Sequence, residues 1–269
     1  MPRTAGPVGL RISILGTMTF AAGDRVPMLR AAKPRQLLAL LIMNPNRPVP
    51  VDKLAAELWG DTPPKSSVAT IQTYILTLRK FFTNSLAVDA AVVTKELLVT
   101  EPVGYTLRMR SRQLDLHDFT DLAARGRAAL TEGRIAEAAE LLRHATDLWR
   151  GRPFADIPIG QVLRPKVRGL EEARMVAWED RIDADLRLGR HREVISELSE
   201  LTGEHLFNER LHGHLMIALY RSGRRLEALE VFQRLRARMI EEVGLEPSKM
   251  LWHVHQAVLA DSGLEYMSS

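Results

Sequence analysis

The 269-residue sequence predicts a mainly α-helical protein with small β elements (α+β), in which an N-terminal winged helix-turn-helix precedes a tetratricopeptide-like array of helices. Three observations predict this fold. Two helical patterns are joined by a glycine-containing turn and followed by a hairpin pattern. A Gly-Arg motif recurs at an offset of 34 residues. The charge is also unevenly distributed. We therefore expect one domain at residues 1–110 and a second at residues 111–269.

Residues 1–110 carry 14 Lys and Arg against 7 Asp and Glu, whereas residues 111–269 carry 23 against 26. A positive domain joined to a slightly negative one favours a polyanionic partner for the first and a protein partner for the second. The chain has no cysteine, which excludes a disulfide framework and thiolate metal sites. The longest apolar run, Leu37–Met43, is too short to span a membrane, and the N-terminus lacks the apolar core of a signal peptide. We expect a cytoplasmic, nucleoid-associated protein with no membrane partner.

The first elements follow from short patterns. Leu10–Leu15 alternates apolar and polar residues, and Met18–Ala22 forms a second run before a Gly-Asp turn, which indicates two or three antiparallel strands. A helix should begin at Lys33-Pro34-Arg35 and end near Asn44, because proline suits the first helical turn. Residues 47–50 form a short extended link. Val51–Trp59 should be the second helix, which Gly60 closes.

The stretch Pro63–Phe82 should form the third helix. Its apolar residues recur at spacings of 3, 4, 3 and 4, which places Val68, Ile71, Ile75, Leu78 and Phe82 on one buried stripe. The opposite side has no acidic residue and consists of Ser66, Ala69, Thr70, Thr73, Leu76, Thr77 and Lys80. A helix that approaches phosphates must exclude carboxylates and carry short hydrogen-bonding side chains. We interpret this helix as a nucleic-acid reader; the alternative is an amphipathic core helix with a polar back.

Two β-rich runs follow the third helix. Val92–Leu98 and Val99–Leu107 contain β-branched residues around a Glu-Pro-Val-Gly turn at 101–104, which is typical of a hairpin. In this position the hairpin would be the wing of a winged helix.

The second half contains a helical repeat. Leu188-Gly189-Arg190 recurs as Ser222-Gly223-Arg224, and a third Gly-Arg pair stands at Gly133-Arg134. The offset of 34 residues is the tetratricopeptide period, and stacked helix pairs of this kind leave one face for a partner. Three tryptophans of this half are expected to pack between helices: Trp149, Trp178 and Trp252.

The residues themselves resemble a known family. The run LAAELWGDTPPKSSVATIQTYILTLRKF, followed by VTEPVGY, is similar to the OmpR-type winged-helix domain of the Streptomyces antibiotic regulatory proteins. LWRGRPFADI at Leu148–Ile157 and the segment Asn208–Ser248 are similar to that family's bacterial transcriptional activator domain. The resemblance covers roughly residues 10–260.

The candidate DNA-contacting residues combine this resemblance with the charge and polarity of the side chains. They lie at the start of the first helix, in the helix-turn-helix corner, on the third helix and in the wing: Lys33, Arg35, Trp59, Lys65, Ser66, Ser67, Thr70, Gln72, Thr73, Thr77, Arg79, Lys80, Thr100 and Tyr105. For Lys33, Arg35, Lys65, Arg79 and Lys80 the alternative is a solubilising charge, and for Trp59 and Tyr105 it is packing. The family usually has a basic residue where this wing has Glu101, and Leu76 and Thr77 occupy positions that are often polar or basic.

The resemblance implies a transcriptional activator of a secondary-metabolite (antibiotic) gene cluster. Its winged helix would bind direct repeats in double-stranded promoter DNA, and its helical array would support a homodimer on DNA and contact RNA polymerase holoenzyme. An alternative is a signal-sensing adaptor whose array binds a peptide or a small-molecule effector. No nucleotide-binding, hydrolase or zinc-protease motif occurs, and the pairs His212/His214 and His253/His255 point about 200° apart on a helix, so we expect no catalytic residue, no metal and no cofactor.

Overall fold

The computed structural model describes residues 9–261. Within that range, no helix combines the length and the apolar character that crossing a membrane requires. The chain packs into two compact units: the first contains the residues up to Leu122 together with Ala145–Arg174, and the second contains Ala123–His144 and the residues from Met175 onward. This division differs from a boundary at residue 110, because the segment Ala145–Arg174 packs with the winged helix.

The first unit begins with the predicted hairpin. Strands β1 (Leu10–Ser13) and β2 (Thr19–Ala22) are antiparallel, with Leu10 opposite Ala22. The buried carboxylate of Asp115 accepts hydrogen bonds from the backbone N–H groups of Ile14, at 2.9 Å, and Leu15, at 3.2 Å. These bonds fix the chain as it leaves β1, because buried backbone N–H groups need a partner.

The helix-turn-helix elements follow in the predicted order. They are α1 (Ala32–Ile42), β3 (Val49–Pro50), α2 (Val51–Trp59) and α3 (Ser67–Leu86). Every residue from Leu37 to Ile42 is fully buried, which explains why the end of α1 is apolar on all sides. Gly60 ends α2 with a φ of 67°, a conformation that favours glycine. Helix α3 continues past Phe82, its predicted end, to Leu86.

The prediction of a strand at Val92–Leu98 is wrong for residues 92–97. The chain there forms α4 (Ala90–Val92) and a π-helical turn, Val93–Leu97. Val93 and Leu97 are both fully buried, whereas Lys95 between them is exposed. Burial four residues apart is helical spacing, and the β-branched composition alone led to the wrong assignment.

The wing is confirmed as a hairpin. Strands β4 (Leu98–Glu101) and β5 (Gly104–Leu107) pair antiparallel, and β3 adds to the other side of β5 in the order β3-β5-β4. Gly104 makes this close approach possible, since a Cβ there would lie 1.9 Å from the carbonyl oxygen of Val49. The short link predicted at residues 47–50 is therefore part of a three-stranded sheet.

Helices α5 (Asp115–Thr131), α6 (Ile135–Asp147) and α7 (Arg164–Arg187) follow. The loop between α6 and α7 runs beside the β1–β2 turn, where Arg150 N–H donates to the carbonyl of Leu15 at 2.7 Å. Trp149 packs edge-on against Phe119 of α5, with ring centroids 5.1 Å apart. This contact is the packing role predicted for that tryptophan.

A buried carboxylate of α2 also holds this loop. Glu57 Oε1 accepts a hydrogen bond from Gly160 N–H at 2.6 Å, and Oε2 accepts bonds from the N–H groups of Val162, at 3.0 Å, and Leu163, at 2.8 Å. We call this set the Glu57 clamp. It ties the first helix of the helix-turn-helix pair to the residues that immediately precede α7.

The second unit ends in four helices, α8 (His191–Glu204), α9 (Glu209–Arg221), α10 (Arg225–Val243) and α11 (Lys249–Ala260). The three predicted Gly-Arg motifs have one conformation: Gly133, Gly189 and Gly223 have φ values of 75°, 78° and 81°. In each, the N–H of the following arginine donates to the carbonyl five residues before it. This pattern terminates the preceding helix and confirms the irregular helical array.

Candidate nucleic-acid interface

Helix α3 presents the predicted buried stripe with one exception. Ile71, Ile75, Leu78 and Phe82 are at most 1% exposed, whereas Val68 is 52% exposed. Val68 lies in the first turn of α3, beyond the edge of the core that α1 and α2 provide. The assignment of Val68 to the core is therefore wrong, and it adds an apolar group to the accessible surface.

The opposite face of α3 is accessible in this unit. Gln72, Thr73 and Lys80 are exposed, and Thr70 and Thr77 are half-exposed. The chain has no acidic residue between Asp61 and Asp89. The surface of the helix thus combines cations with small polar groups, and no carboxylate of its own would repel a phosphate.

The three threonines of this face share one hydrogen-bonding arrangement. Each hydroxyl donates to the carbonyl oxygen four residues earlier: Thr70 to Ser66 at 3.0 Å, Thr73 to Ala69 at 3.1 Å, and Thr77 to Thr73 at 3.0 Å. The hydroxyl protons are engaged within the helix, so each side chain retains a γ-methyl group and an accepting oxygen for a ligand.

The N-terminal end of α3 is also suited to an anion. Lys65 and Ser66 are exposed and Ser67 is half-exposed. No side chain caps the helix, and its first turn has no acidic residue. Lys65, two residues before the helix begins, therefore adds a positive charge at the end of α3 where the helix dipole is also positive.

Arg79 joins α3 to the wing. Its Nε and Nη2 donate to the carbonyl of Leu98 at 3.1 and 2.9 Å, and Nη2 also donates to the Thr100 hydroxyl at 2.8 Å. Burial lowers the pKa of Arg79 from its usual value. Arg79 and Thr100 were predicted to contact DNA, and the structure engages both in holding β4 against α3.

The two cations predicted at the start of α1 have internal partners. Lys33 Nζ donates to the carbonyl of Leu58 at 2.6 Å. Arg35, whose side chain is 12% exposed, forms an ion pair with Asp156 and donates to the carbonyls of Leu29 and Met18. Arg35 thus links α1 to the α6–α7 loop, and its guanidinium is engaged within the first unit.

The aromatic candidates differ in exposure. Trp59, at the end of α2, is half-buried and reaches the surface. Tyr105 is 7% exposed because it lies on β5, the central strand of the sheet, opposite Val49 and Thr100. Its position favours the packing alternative over a DNA contact.

One cation of the wing is not among the residues predicted from the sequence. Arg108 follows β5 and lies 3.5 Å from Glu101, the acidic residue in the wing turn, with 44% of its side chain exposed. The strand register alone does not predict this pair, because it places Arg108 beside Leu97, and only the length of the arginine side chain brings its guanidinium to Glu101. Arg108 partly offsets the negative charge that the sequence alone places in the wing.

The two halves of the chain match two family models. Residues 27–107 match the model described as transcriptional regulatory protein, C terminal, and residues 114–259 match the bacterial transcriptional activator domain.

Several curated proteins are similar over almost the whole chain. The regulatory protein DnrI of Streptomyces peucetius is 39% identical over 257 residues, which are 95% of this chain and 94% of DnrI. The transcriptional regulator RedD of Streptomyces coelicolor is 32% identical, over 93% of this chain and 71% of RedD. The regulatory protein AfsR of the same species is 36% identical, but this chain spans 25% of its length.

A solved structure has the same fold. Mycobacterium tuberculosis EmbR, determined in complex with a low-affinity phosphopeptide, superposes with a TM-score of 0.87 at 31% sequence identity. The match covers 95% of this chain and 66% of the EmbR chain.

Proposed function

Because this chain belongs to the Streptomyces antibiotic regulatory protein family of transcriptional regulators, we propose that it is a sequence-specific DNA-binding activator of a secondary-metabolite (antibiotic) gene cluster. Residues 1–110 would bind direct repeats in double-stranded promoter DNA. Residues 111–269 would support a homodimer on DNA and recruit RNA polymerase holoenzyme.

The acid-free, accessible face of α3 is the observation that supports this function. It is the second helix of a helix-turn-helix pair, the element that lies in the major groove in such folds. The proposed contacts are Gln72 and Thr73 at its centre, Thr70 and Thr77 beside them, and the phosphate-binding groups Lys65, Ser66, Ser67 and Lys80 around them. Trp59 and Lys33 remain candidates at the margin of this surface.

Direct repeats are what membership of this family implies. Half-sites about one helical turn apart would place two protomers on the same side of the duplex, and a direct repeat would give them the same orientation. The second half of the chain is then positioned next to its copy.

A salt titration of promoter binding tests the function. Two lysine-phosphate contacts per protomer give about four in a dimer and a slope near −3.6 for log affinity against log salt, or about a 100-fold loss between 50 and 200 mM salt. Lys80→Ala should reduce the slope by about one for each protomer. A salt-independent affinity, or equal affinity for a scrambled duplex, would contradict the proposal.

The adaptor remains a second candidate because the last described helix has a groove. Lys249, Trp252, His253 and Gln256 of α11 line a depression of about 410 Å³. EmbR, which has the same fold, was solved in complex with a low-affinity phosphopeptide. Calorimetric titration of peptides into the full chain tests this candidate, and Trp252 fluorescence should respond if the groove is the site.

A further inference from the structure

The reading helix exposes more apolar surface than the function proposed above explains. Val68 is 52% exposed and Leu76 is 55% exposed. At 100° per residue Leu76 lies about 20° from Ala69 and about 60° from Thr73, both of which are exposed, whereas Val68 lies on the flank of this face, about 80° from Leu76. A helix face that only positions phosphates needs cations and hydrogen-bond donors, and large aliphatic groups contribute nothing to that task.

The major groove contains one feature that an aliphatic side chain can recognise. Thymine presents its C5-methyl group there, next to the O4 acceptor, and the other three bases present only hydrogen-bonding groups. Alanine, threonine methyl groups and larger apolar side chains contact this methyl group in base readout. An exposed leucine on a face free of carboxylates has a chemical partner in such a groove.

The threonine hydrogen bonds support the same reading. Thr73 donates its hydroxyl proton to the carbonyl of Ala69 at 3.1 Å. Donation to a base acceptor would break that bond, at a cost of about 1 kcal/mol. The Thr73 methyl group needs no such change, so contact with a methyl group is the less costly mode of recognition.

We infer that α3 identifies its operator by the 5-methyl groups of thymines, which Ala69, Thr73 and Leu76 contact. This inference rests on the proposed DNA-binding function. Ala69 and Leu76 are seven residues apart, which is about 10.5 Å along the helix or about three base-pair steps. Each half-site therefore contains at least two thymines within about four base pairs.

Replacement of thymine by deoxyuridine tests the inference without altering the protein. The full chain first selects duplexes from a random-sequence library, and each thymine of a selected duplex is then replaced singly by deoxyuridine. This change removes only the methyl group. Each contacted position should lose about fourfold in affinity, the value of one buried methyl group. Thymines outside the half-sites should change affinity by less than about twofold.

Paired protein variants identify the side chains. Leu76→Ala should weaken binding to the thymine duplex and abolish the deoxyuridine effect at one position, as expected for groups in contact. Thr73→Val keeps a methyl group and should retain affinity, whereas Thr73→Ser should lose about fourfold. Val26, 77% exposed in the β2–α1 loop, provides the control: Val26→Ala should leave affinity and deoxyuridine sensitivity unchanged.

The outcomes are separable. Specific binding that is insensitive to deoxyuridine at every thymine, with a loss of affinity in Thr73→Val, would show that the hydroxyl group reads the base and would overturn the inference alone. A chain that selects no sequence and shows no salt dependence would overturn the proposed function and the inference together. Thermal unfolding of each variant should match that of the native chain, since none of these side chains lies in the core.

Discussion

Replacement of Gly160 by alanine should damage the Glu57 clamp. A Cβ at this position would lie 2.1 Å from the carbonyl oxygen of Glu57 and 2.7 Å from its carboxylate. Backbone cannot move aside as a flexible side chain can. Either the end of α2 or the α6–α7 loop must shift, and the 2.6 Å hydrogen bond from Gly160 N–H to Glu57 Oε1 would be lost or distorted.

The expected cost follows from two contributions. Overpacking a tight site costs about 1–3 kcal/mol. A hydrogen bond to a charged group contributes about 1.5–3 kcal/mol. We expect a free energy of unfolding lower by about 3 kcal/mol or more, which for about 150 residues corresponds to a Tm decrease of roughly 6–12 °C. Because α2 precedes the reading helix, specific DNA affinity should fall as well.

Circular dichroism melting of the full chain measures the first effect, and DNA titration measures the second. Gly169→Ala is the matched control, because nothing lies within 4 Å of a Cβ there and the site is inside α7. That change should leave Tm unchanged or raise it, since alanine is the better helix former. Equal Tm values for the two variants would show that Glu57 does not exclude a side chain at position 160. Glu57→Gln tests the acceptor separately from the steric effect. It removes the negative charge and leaves one accepting oxygen for three N–H donors.

Three further predictions concern single residues. Thr73→Ala should weaken binding to a specific promoter more than binding to scrambled DNA, whereas Lys80→Ala should weaken both about equally; equal losses of specificity in gel-shift titrations would mean that the reading face is assigned wrongly. Arg35→Ala should lower stability by about 1–3 kcal/mol in urea unfolding without changing the salt slope of DNA binding, because its partners are Asp156 and two carbonyls. Burial lowers the pKa of His214 to about 4, so the folded state favours the neutral ring; its contribution to stability is complete above about pH 6.5 and is lost as the pH falls toward 4, by about 3 kcal/mol. His214→Gln should flatten that part of the stability curve, and an unchanged curve would exclude His214 as the cause.

Local spacing predicted the helices with little error. The stripe Ile71, Ile75, Leu78 and Phe82 is buried, and the Gly-Arg turns end helices where the repeat placed them. The two failures have different origins. The strand predicted at Val92–Leu98 rested on composition and not on alternation, and its burial pattern is helical. Val68 has the spacing of the buried stripe, but it lies in the first turn of α3 and is 52% exposed.

The candidate surface was predicted only in part, because the exposure of some of its residues depends on local spacing and that of others depends on distant parts of the chain. The accessible, acid-free face of α3 is a property of one helix, so its residues follow from their spacing. Local spacing does not predict the exposure of Arg35 or Tyr105. The exposure of Arg35 depends on its ion pair with Asp156, and that of Tyr105 depends on pairing with strand β3. Their side chains are suited to DNA in chemical type, but other parts of the first unit cover them.

The order of the elements, the helical repeat and the acid-free face of α3 can be predicted from the sequence, because each depends on residues within a few turns of one another. Which polar groups remain available to a ligand depends on long-range packing. Glu57 and Gly160 are 103 residues apart, and Arg35 and Asp156 are 121 apart. Their pairing depends on how the α6–α7 loop packs against α1, α2 and the β1–β2 hairpin, which no local periodicity encodes. Burial of a charge requires a partner at close range, and the fold alone supplies that partner.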